Sequence, residues 1–216
     1  MADLFDNLPE PGLRNVRLQD GVYLLHQFAS PRGNLLVEHY TDIVAQAPLR
    51  HMVTPTGRTM AVAMTSCGQA GWISDRRGYR YSASDPLTGR PWPAMPAAFM
   101  ALAADAARVG GFENFRPDSC LINRYLPGNR LSLHQDSDEL DFAAPIVSVS
   151  LGLPATFLFG GLRRAVRARR FRLEHGDVVV WGGPARLVYH GISPLADDHH
   201  PVLGRQRINL TFRKAL

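Results

Sequence analysis

The hydrophobic pattern of this chain changes character near residue 119. Ahead of that point it traces one strand, a helix, a second strand, a long aperiodic stretch and a second helix. Residues 1–18 hold Pro9, Pro11 and Gly12 without a period and read as a loosely held lead-in. Gly21 to Phe28 is a short apolar strand. Ser30-Pro31 predicts a helix start, with Ser at the N-cap and Pro in the first turn. Leu35, Leu36, His39, Tyr40, Ile43 and Val44 form its apolar stripe, and Pro48 ends it. Pro55-Thr56-Gly57 is a turn. From Thr59 to Thr65, Met60, Val62 and Met64 alternate with smaller residues, as in a strand. Residues 66–95 are rich in Gly, Pro, Ser and Tyr, with Trp72, Tyr79, Tyr81 and Trp92, and predict an irregular lid or binding loop. Pro96 to Val109 is the second helix, carried by Phe99, Leu102, Ala103 and Ala106 and stopped by Gly110-Gly111.

Beyond Ser119 the pattern is short strands separated by turn residues. They are Cys120–Leu126, Leu131–Gln135, Ile146–Leu151, Thr156–Phe159, Arg170–Glu174, Val178–Trp181, Leu187–His190 and Arg207–Phe212. Strands at this spacing predict a β-sandwich or double-sheet barrel, with the two helices packed on one face. The expected class is α+β, mainly β, in a single domain without internal repeats.

That frame gives certain side chains a shared direction. On an extended backbone, residues alternate faces, so His134 and Asp136 point the same way and one divalent metal can touch both. A second histidine, His190, stands in Tyr189-His190-Gly191. Two His and one carboxylate, with coordination positions left open, suit non-haem Fe(II) in oxygenases. The competing reading makes both ordinary surface or core histidines. Asp177 and Asp138 are rival carboxylates. Asp177 follows His175-Gly176 in a predicted turn, while Asp138 lies one step further out and suits a place beside the metal or at the substrate. His199 and His200 lie in a Pro/Asp-rich loop and are expected to be solvated.

In the last strand, Arg207, Asn209, Thr211 and Arg213 share one face, and Ile208, Leu210 and Phe212 share the other. The apolar face is expected to pack on the neighbouring sheet. Two guanidinium groups roughly 20 Å apart inside a barrel require anions to meet them. The forked guanidinium suits carboxylates, so a dicarboxylate is a natural guest. The alternative is a solvent-facing edge strand. Asn123 and Tyr125 share a face of the strand before the metal strand and offer an amide and a phenol to the same cavity, where buried polar groups need partners.

Six of the ten residues from Arg163 to Arg172 are arginine, on a predicted exposed hairpin. That density fits a phosphate backbone, or else a solvated charged face. Trp72 and Tyr79 offer stacking surfaces for an unpaired base, or else pack in a core.

Composition narrows the class. The hydrophobic content of 45% over 216 residues suits one compact domain. Lys and Arg number 24 against 19 Asp and Glu, a net charge of +5, with Lys214 the only lysine; this favours polyanionic partners. Two cysteines, Cys67 and Cys120, argue against a disulfide framework and fit a reducing cytoplasm. The acidic first ten residues do not read as a signal peptide. No apolar run approaches the ~20 residues of a membrane span. A monomer is expected.

Several unbroken runs then carry a resemblance. They are Met52-Val53-Thr54-Pro55, Ala63-Met64-Thr65 through Gly71-Trp72, Pro91-Trp92-Pro93-Ala94-Met95-Pro96 and Leu121-Ile122-Asn123-Arg124-Tyr125. To these add Leu131 to Asp138, Ile146 to Pro154, Leu173 to Gly183 and Asn209 to Arg213. Together, over roughly residues 20–213, the chain resembles the AlkB-type Fe(II)/2-oxoglutarate dioxygenases. The resemblance implies a double-stranded β-helix (jelly roll) over 119–213 with a nucleotide-recognition lid over 52–93. It implies His134, Asp136 and His190 as iron ligands, and Arg207 and Arg213 as the grip on the carboxylates of 2-oxoglutarate. Asn123, Tyr125 and Asn209 are implied as further cosubstrate contacts. On the substrate side it implies Trp72 and Tyr79 around the extruded base and its phosphate, Asp138 and Arg164 as a polar pair near the base, and Met64 and Leu131 as further contacts. The implied activity is oxidative demethylation of N-alkylated bases in DNA, single-stranded by preference, with Fe(II), 2-oxoglutarate and dioxygen and release of formaldehyde, succinate and CO2. Arg58, Ser137 and Val188 depart from the family pattern on the substrate side. The alternatives are an RNA or protein demethylase or hydroxylase of the same chemistry, and a non-catalytic metal-binding module that binds single-stranded nucleic acid. A zinc hydrolase on a similar barrel would leave the arginine grip unexplained.

Overall fold

The computed structural model describes residues 15–216. The chain runs β1 (Asn15–Gln19), β2 (Val22–Leu25), α1 (Gly33–Gln46), β3 (Arg50–Val53), β4 (Thr59–Gly68), β5 (Gly71–Asp75), β6 (Gly78–Ser82) and α2 (Ala97–Val109). It continues through β7 (Ser119–Tyr125), β8 (Leu131–His134), β9 (Ile146–Gly152), β10 (Ala155–Phe159) and β11 (Arg169–Leu173). The last strands are β12 (Val178–Trp181), β13 (His190–Ile192) and β14 (Arg207–Arg213). An eight-stranded sheet in the order β1-β2-β12-β9-β14-β7-β4-β3 faces a four-stranded sheet, β11-β10-β13-β8. This is the expected double-stranded β-helix, mainly β with two helices.

Two apolar layers flank the larger sheet. Leu36, Tyr40 and Ile43 of α1 and Phe99, Leu102 and Ala106 of α2 pack on its outer face against Ile122, Val149, Val180 and Leu210. Between the sheets lie Val62, Leu121, Phe157, Phe159, Val179, Trp181 and Ile192. The apolar face of β14 therefore packs differently from expectation. Ile208, Leu210 and Phe212 lie beneath the helices, and Phe212 meets Phe99 edge-on with ring centroids 5.8 Å apart. The helical stripes need an apolar cover, and burying each such side chain contributes about 1.5–3 kcal/mol. The polar face of β14 is thereby turned into the space between the sheets.

Other boundaries move for local reasons. Within the expected lead-in, Asn15–Gln19 pairs with β2, while residues 1–14 lie outside the described residues. Ser30 does not cap α1; Ser30–Arg32 form a 3-10 turn first. The Ser30 hydroxyl instead donates to the His175 carbonyl, and the Ala29 amide bonds the Gly176 carbonyl at 2.8 Å. Residues 66–95 are not irregular throughout. β4 runs on to Gly68, and β5 and β6 form a hairpin in which Arg80 bridges back to Asp75 at 2.7 Å. The segment 187–189 is not strand; the chain makes a 3-10 turn at Gly183–Ala185, and β13 begins only at His190. Among the described residues no helix is long and apolar enough to cross a membrane.

Candidate metal centre and cosubstrate pocket

β8 and β13 pair antiparallel with His134 opposite His190, so their rings lie 4.4 Å apart between centroids. Each ring is oriented from behind. His134 Nδ1 lies 2.9 Å from the Ser132 carbonyl and His190 Nδ1 lies 3.0 Å from the Val188 carbonyl. A carbonyl only accepts, so Nδ1 carries the proton and each Nε2 is left with a free lone pair. Both Nε2 atoms face Asp136, at 3.6 Å from Oδ1 for His134 and 3.7 Å from Oδ2 for His190. Ligand atoms of the three residues lie within 4.8 Å of one another, close enough for one ion. β8 ends at His134, but the same-side placement of Asp136 holds. Gln135 points away, and its amide donates to the Leu187 carbonyl.

The protonation states suit a cation. Burial pushes the His190 pKa down to about 4, so the ring is neutral near pH 7. Burial alone would raise the Asp136 pKa; the Arg213 guanidinium bonded to it outweighs that and holds the carboxyl well below the usual carboxylate range.

The two arginines of β14 are not equivalent. Arg213 donates from Nε and Nη2 to Asp136 Oδ2 at 3.0 and 2.7 Å, and its Nε lies 3.3 Å from Glu139 Oε1. Arg207 is 1% exposed, donates from Nη2 to Ser150 at 2.9 Å, and lies 5.0 Å over the Tyr125 ring. Its Nε and Nη1, and the Asn123 carbonyl oxygen, have no hydrogen-bond partner among the described residues. Burial lowers the Arg207 pKa, the mark of a cation awaiting a counter-charge. Asn209 is held firmly: it donates to Ser148 at 2.9 Å and accepts from Thr211 at 3.0 Å and from Asn123 at 3.3 Å. An anionic cosubstrate fits the vacant donors of Arg207.

A cavity of about 720 Å³ joins this floor to the surface. Its walls include the His134/Asp136/His190 set, Arg207, Asn123, Met64 and Leu131, and at the mouth Trp72, Tyr79 and Asp138. Trp72 and Tyr79 stack at 5.6 Å and 13°, and the indole N–H of Trp72 donates to Asp138 Oδ2 at 2.7 Å. Arg164 does not line the cavity; it sits 5.9 Å over the Tyr189 ring on the β10–β11 loop. Of the departing residues, Arg58 and Ser137 line the cavity, whereas the Val188 side chain is buried among the inter-sheet residues. Asp177 is structural, accepting from the Gln27 and Glu174 amides. His200 is half-buried rather than solvated and stacks on His175 at 4.5 Å.

Ser148, Ser150, Glu139 and Arg186 carry no signal in the sequence pattern, and Thr211 and Tyr81 stand there without an assigned role. The serines sit opposite Thr211 and Asn209 in the β9–β14 register, and register is the signal that would have found them.

A protein of Salmonella typhimurium named "Alpha-ketoglutarate-dependent dioxygenase AlkB" is 54% identical over 218 residues, covering 100% of this chain and 98% of that one. The Escherichia coli protein of the same name is 56% identical over 198 residues, 92% of each. The family model of the 2OG-Fe(II) oxygenase superfamily matches residues 21–213. This chain belongs to that superfamily, on its AlkB-type branch. A solved structure titled "The structure of OsALKBH1" superposes with a TM-score of 0.81 at 28% identity, covering 93% of this chain and 99% of that one. Remoter relatives are the human "Nucleic acid dioxygenase ALKBH1", 32% identical over 53% of this chain and 30% of its own, and the Schizosaccharomyces pombe "tRNA demethylase abh1", 29% over 48% and 38%. As an AlkB-type 2OG-Fe(II) oxygenase, the chain is a dioxygenase that uses Fe(II), 2-oxoglutarate and dioxygen, with His134, Asp136 and His190 as its metal site.

Proposed function

We propose that this dioxygenase removes alkyl groups oxidatively from nucleic-acid bases, with DNA, single-stranded by preference, as substrate. The products are the restored base, formaldehyde, succinate and CO2. The observation that carries the reading is the single cavity running from the vacant donors of Arg207, past the metal set, to the Trp72–Tyr79 stack. It supports a dicarboxylate at the Arg207 end and a planar base at the Trp72–Tyr79 end. The remoter relatives named for nucleic acid and tRNA support the same substrate class.

Bound Fe(II) and 2-oxoglutarate supply the oxidising chemistry. The residues supply placement. His134, Asp136 and His190 hold the metal. Arg207 takes one carboxylate of the cosubstrate, with Asn123, Tyr125 and Asn209 around it, and Arg213 reaches the same region while holding Asp136. Trp72 and Tyr79 stack on a base turned out of its strand, since the target atom is unreachable in a duplex. Asp138 meets the charge of a methylated, cationic base. Met64 and Leu131 close the apolar sides. The exposed arginines of the β10–β11 hairpin meet the phosphate backbone, with Arg164 of that hairpin paired with Asp138 near the base, and that charge favours nucleic acid over a protein substrate. In this reading 1–216 is one catalytic domain, with 52–93 as the lid and 119–213 as the core. It works as a monomer in the cytoplasm, in keeping with two free cysteines.

Anaerobic reconstitution with Fe(II), followed by oxygen, 2-oxoglutarate and methylated single-stranded DNA, tests the proposal. Formaldehyde release that requires all four is expected. Succinate formed without formaldehyde would keep the dioxygenase and sink the DNA substrate; release from methylated RNA alone would move the substrate to RNA.

A further inference from the structure

A buried chain of charge leads from the metal ligand Asp136 to the β5–β6 hairpin. The hairpin is a separate two-stranded sheet, so side-chain contacts tie it to the body. Trp72 and Tyr81 face each other across one rung of it. Trp72 donates to Asp138 at 2.7 Å and the Tyr81 hydroxyl donates to Glu139 Oε1 at 2.6 Å. These acceptors are consecutive and follow Asp136 by two and three residues. One rung of the hairpin is thus clamped onto the segment that carries a metal ligand.

Glu139 is the junction. It is 5% exposed, its Oε1 lies 3.3 Å from Arg213 Nε, and its Oε2 accepts from Arg186 at 3.0 Å. Arg186 also donates to the Asp136 backbone carbonyl at 2.8 Å and to the Ala144 carbonyl at 3.1 Å. Arg213 holds Asp136 Oδ2, which leaves Oδ1 turned toward His134. Two carboxylates and two guanidiniums form a buried, neutral set. Removing one member of such a set leaves a charge uncompensated, so its members hold one another in place. Glu139 fixes Arg213, Arg213 fixes the Asp136 carboxylate, and Tyr81 and Arg186 fix Glu139. Partners of this kind preorganise a metal ligand.

We propose that Glu139 is a positioning residue that couples the β5–β6 hairpin to the metal site: docking of Tyr81 on Glu139 tightens metal binding, and metal binding in turn orders the hairpin. The two effects are one coupling and are reciprocal. The proposal rests on the dioxygenase metal site and not on the identity of the substrate.

The test uses the full chain, 2-oxoglutarate and Mn(II) as the probe ion. Mn(II) affinity is measured by calorimetry, and hydrogen exchange is followed across residues 71–82 with and without Mn(II). In the unaltered protein Mn(II) is expected to slow that exchange, and no slowing would overturn the proposal. Tyr81→Phe is expected to weaken Mn(II) binding about fivefold, at the low end of site-to-site couplings, and to abolish the slowing. Glu139→Gln is expected to weaken it about tenfold, as loss of a ligand's outer partner does. The proposal fails if Tyr81→Phe binds Mn(II) as tightly as the unaltered protein. It also fails if hairpin exchange rises by the same factor with and without Mn(II), the mark of a merely structural tie. Should Glu139→Gln not fold, Tyr81→Phe, which removes one oxygen atom, still decides. Neither measurement involves nucleic acid, so failure here is distinct from failure of the substrate reading.

Discussion

Arg207→Met separates cosubstrate recognition from folding. Arg207 is buried and lines the cavity, and two of its N–H donors have no partner among the described residues. Truncating one side of a buried, hydrogen-bonded charge pair costs about 2–5 kcal/mol of binding. Taking about 3 kcal/mol, and about 1.4 kcal/mol per factor of ten, the KM for 2-oxoglutarate rises on the order of a hundredfold. The apo protein behaves oppositely. It loses the bond to Ser150 but no longer holds a guanidinium without a counter-charge, so the two effects nearly offset. Two assays read this out. The first is succinate formation against 2-oxoglutarate concentration. The second is the melting temperature in Mn(II) with and without cosubstrate. At a hundred times its Kd the cosubstrate stabilises the unaltered protein by about 2.7 kcal/mol, or roughly 5–11 °C for a chain of this length. In Arg207→Met that increment falls to about 0.4 kcal/mol, under about 2 °C, while the melting temperature without cosubstrate stays within about 4 °C. A KM within about threefold of the unaltered enzyme, or an undiminished cosubstrate increment, would refute the assignment of Arg207.

Three further outcomes follow from the site. Asp138→Ala is expected to lower activity on cationic methylated bases about tenfold while sparing neutral lesions; equal loss on both, in formaldehyde assays, would remove charge complementarity as its role. Because the folded His190 pKa is depressed to about 4 from 6.5, the unfolded chain binds its proton more readily. Its contribution is present above pH 6.5 and is lost as the pH falls toward 4, amounting to about 3 kcal/mol; metal-free melts of His190→Asn should show a shallower loss over that window, and an unchanged slope would contradict the burial effect. Arg163→Ala with Arg167→Ala should reduce the salt slope of single-stranded DNA binding by about 0.7 for each phosphate contact removed, read by anisotropy between low and physiological salt, and an identical slope would place the hairpin outside the interface.

The metal site was legible early because its signal is local. His134 and Asp136 are two residues apart, and an extended backbone puts them on one side even though β8 ends at His134. The facing of Arg207, Asn209 and Arg213 was legible for the same reason. The β5–β6 hairpin was not, because Trp72, Ser74, Tyr79 and Tyr81 sit among Gly, Pro and Arg that read equally well as loop. Arg164, implied near the base by likeness, lies over Tyr189 on the β10–β11 loop, a position that no local pattern sets.

By itself, then, the sequence determined most of the strand-and-helix pattern, the His134/Asp136 pair and the polar face of β14, since each depends on the two- or four-residue periodicity of the backbone; the β8–β13 pairing brought His190 to that pair. Tertiary structure decided which way that face turned. The helices covered Ile208, Leu210 and Phe212, and so directed the arginines inward. It also decided that Arg207 keeps free donors while Arg213 is held by Asp136 and Glu139. Those partners lie between 57 and 77 residues away in the chain, a separation over which no local pattern operates and only packing brings groups together.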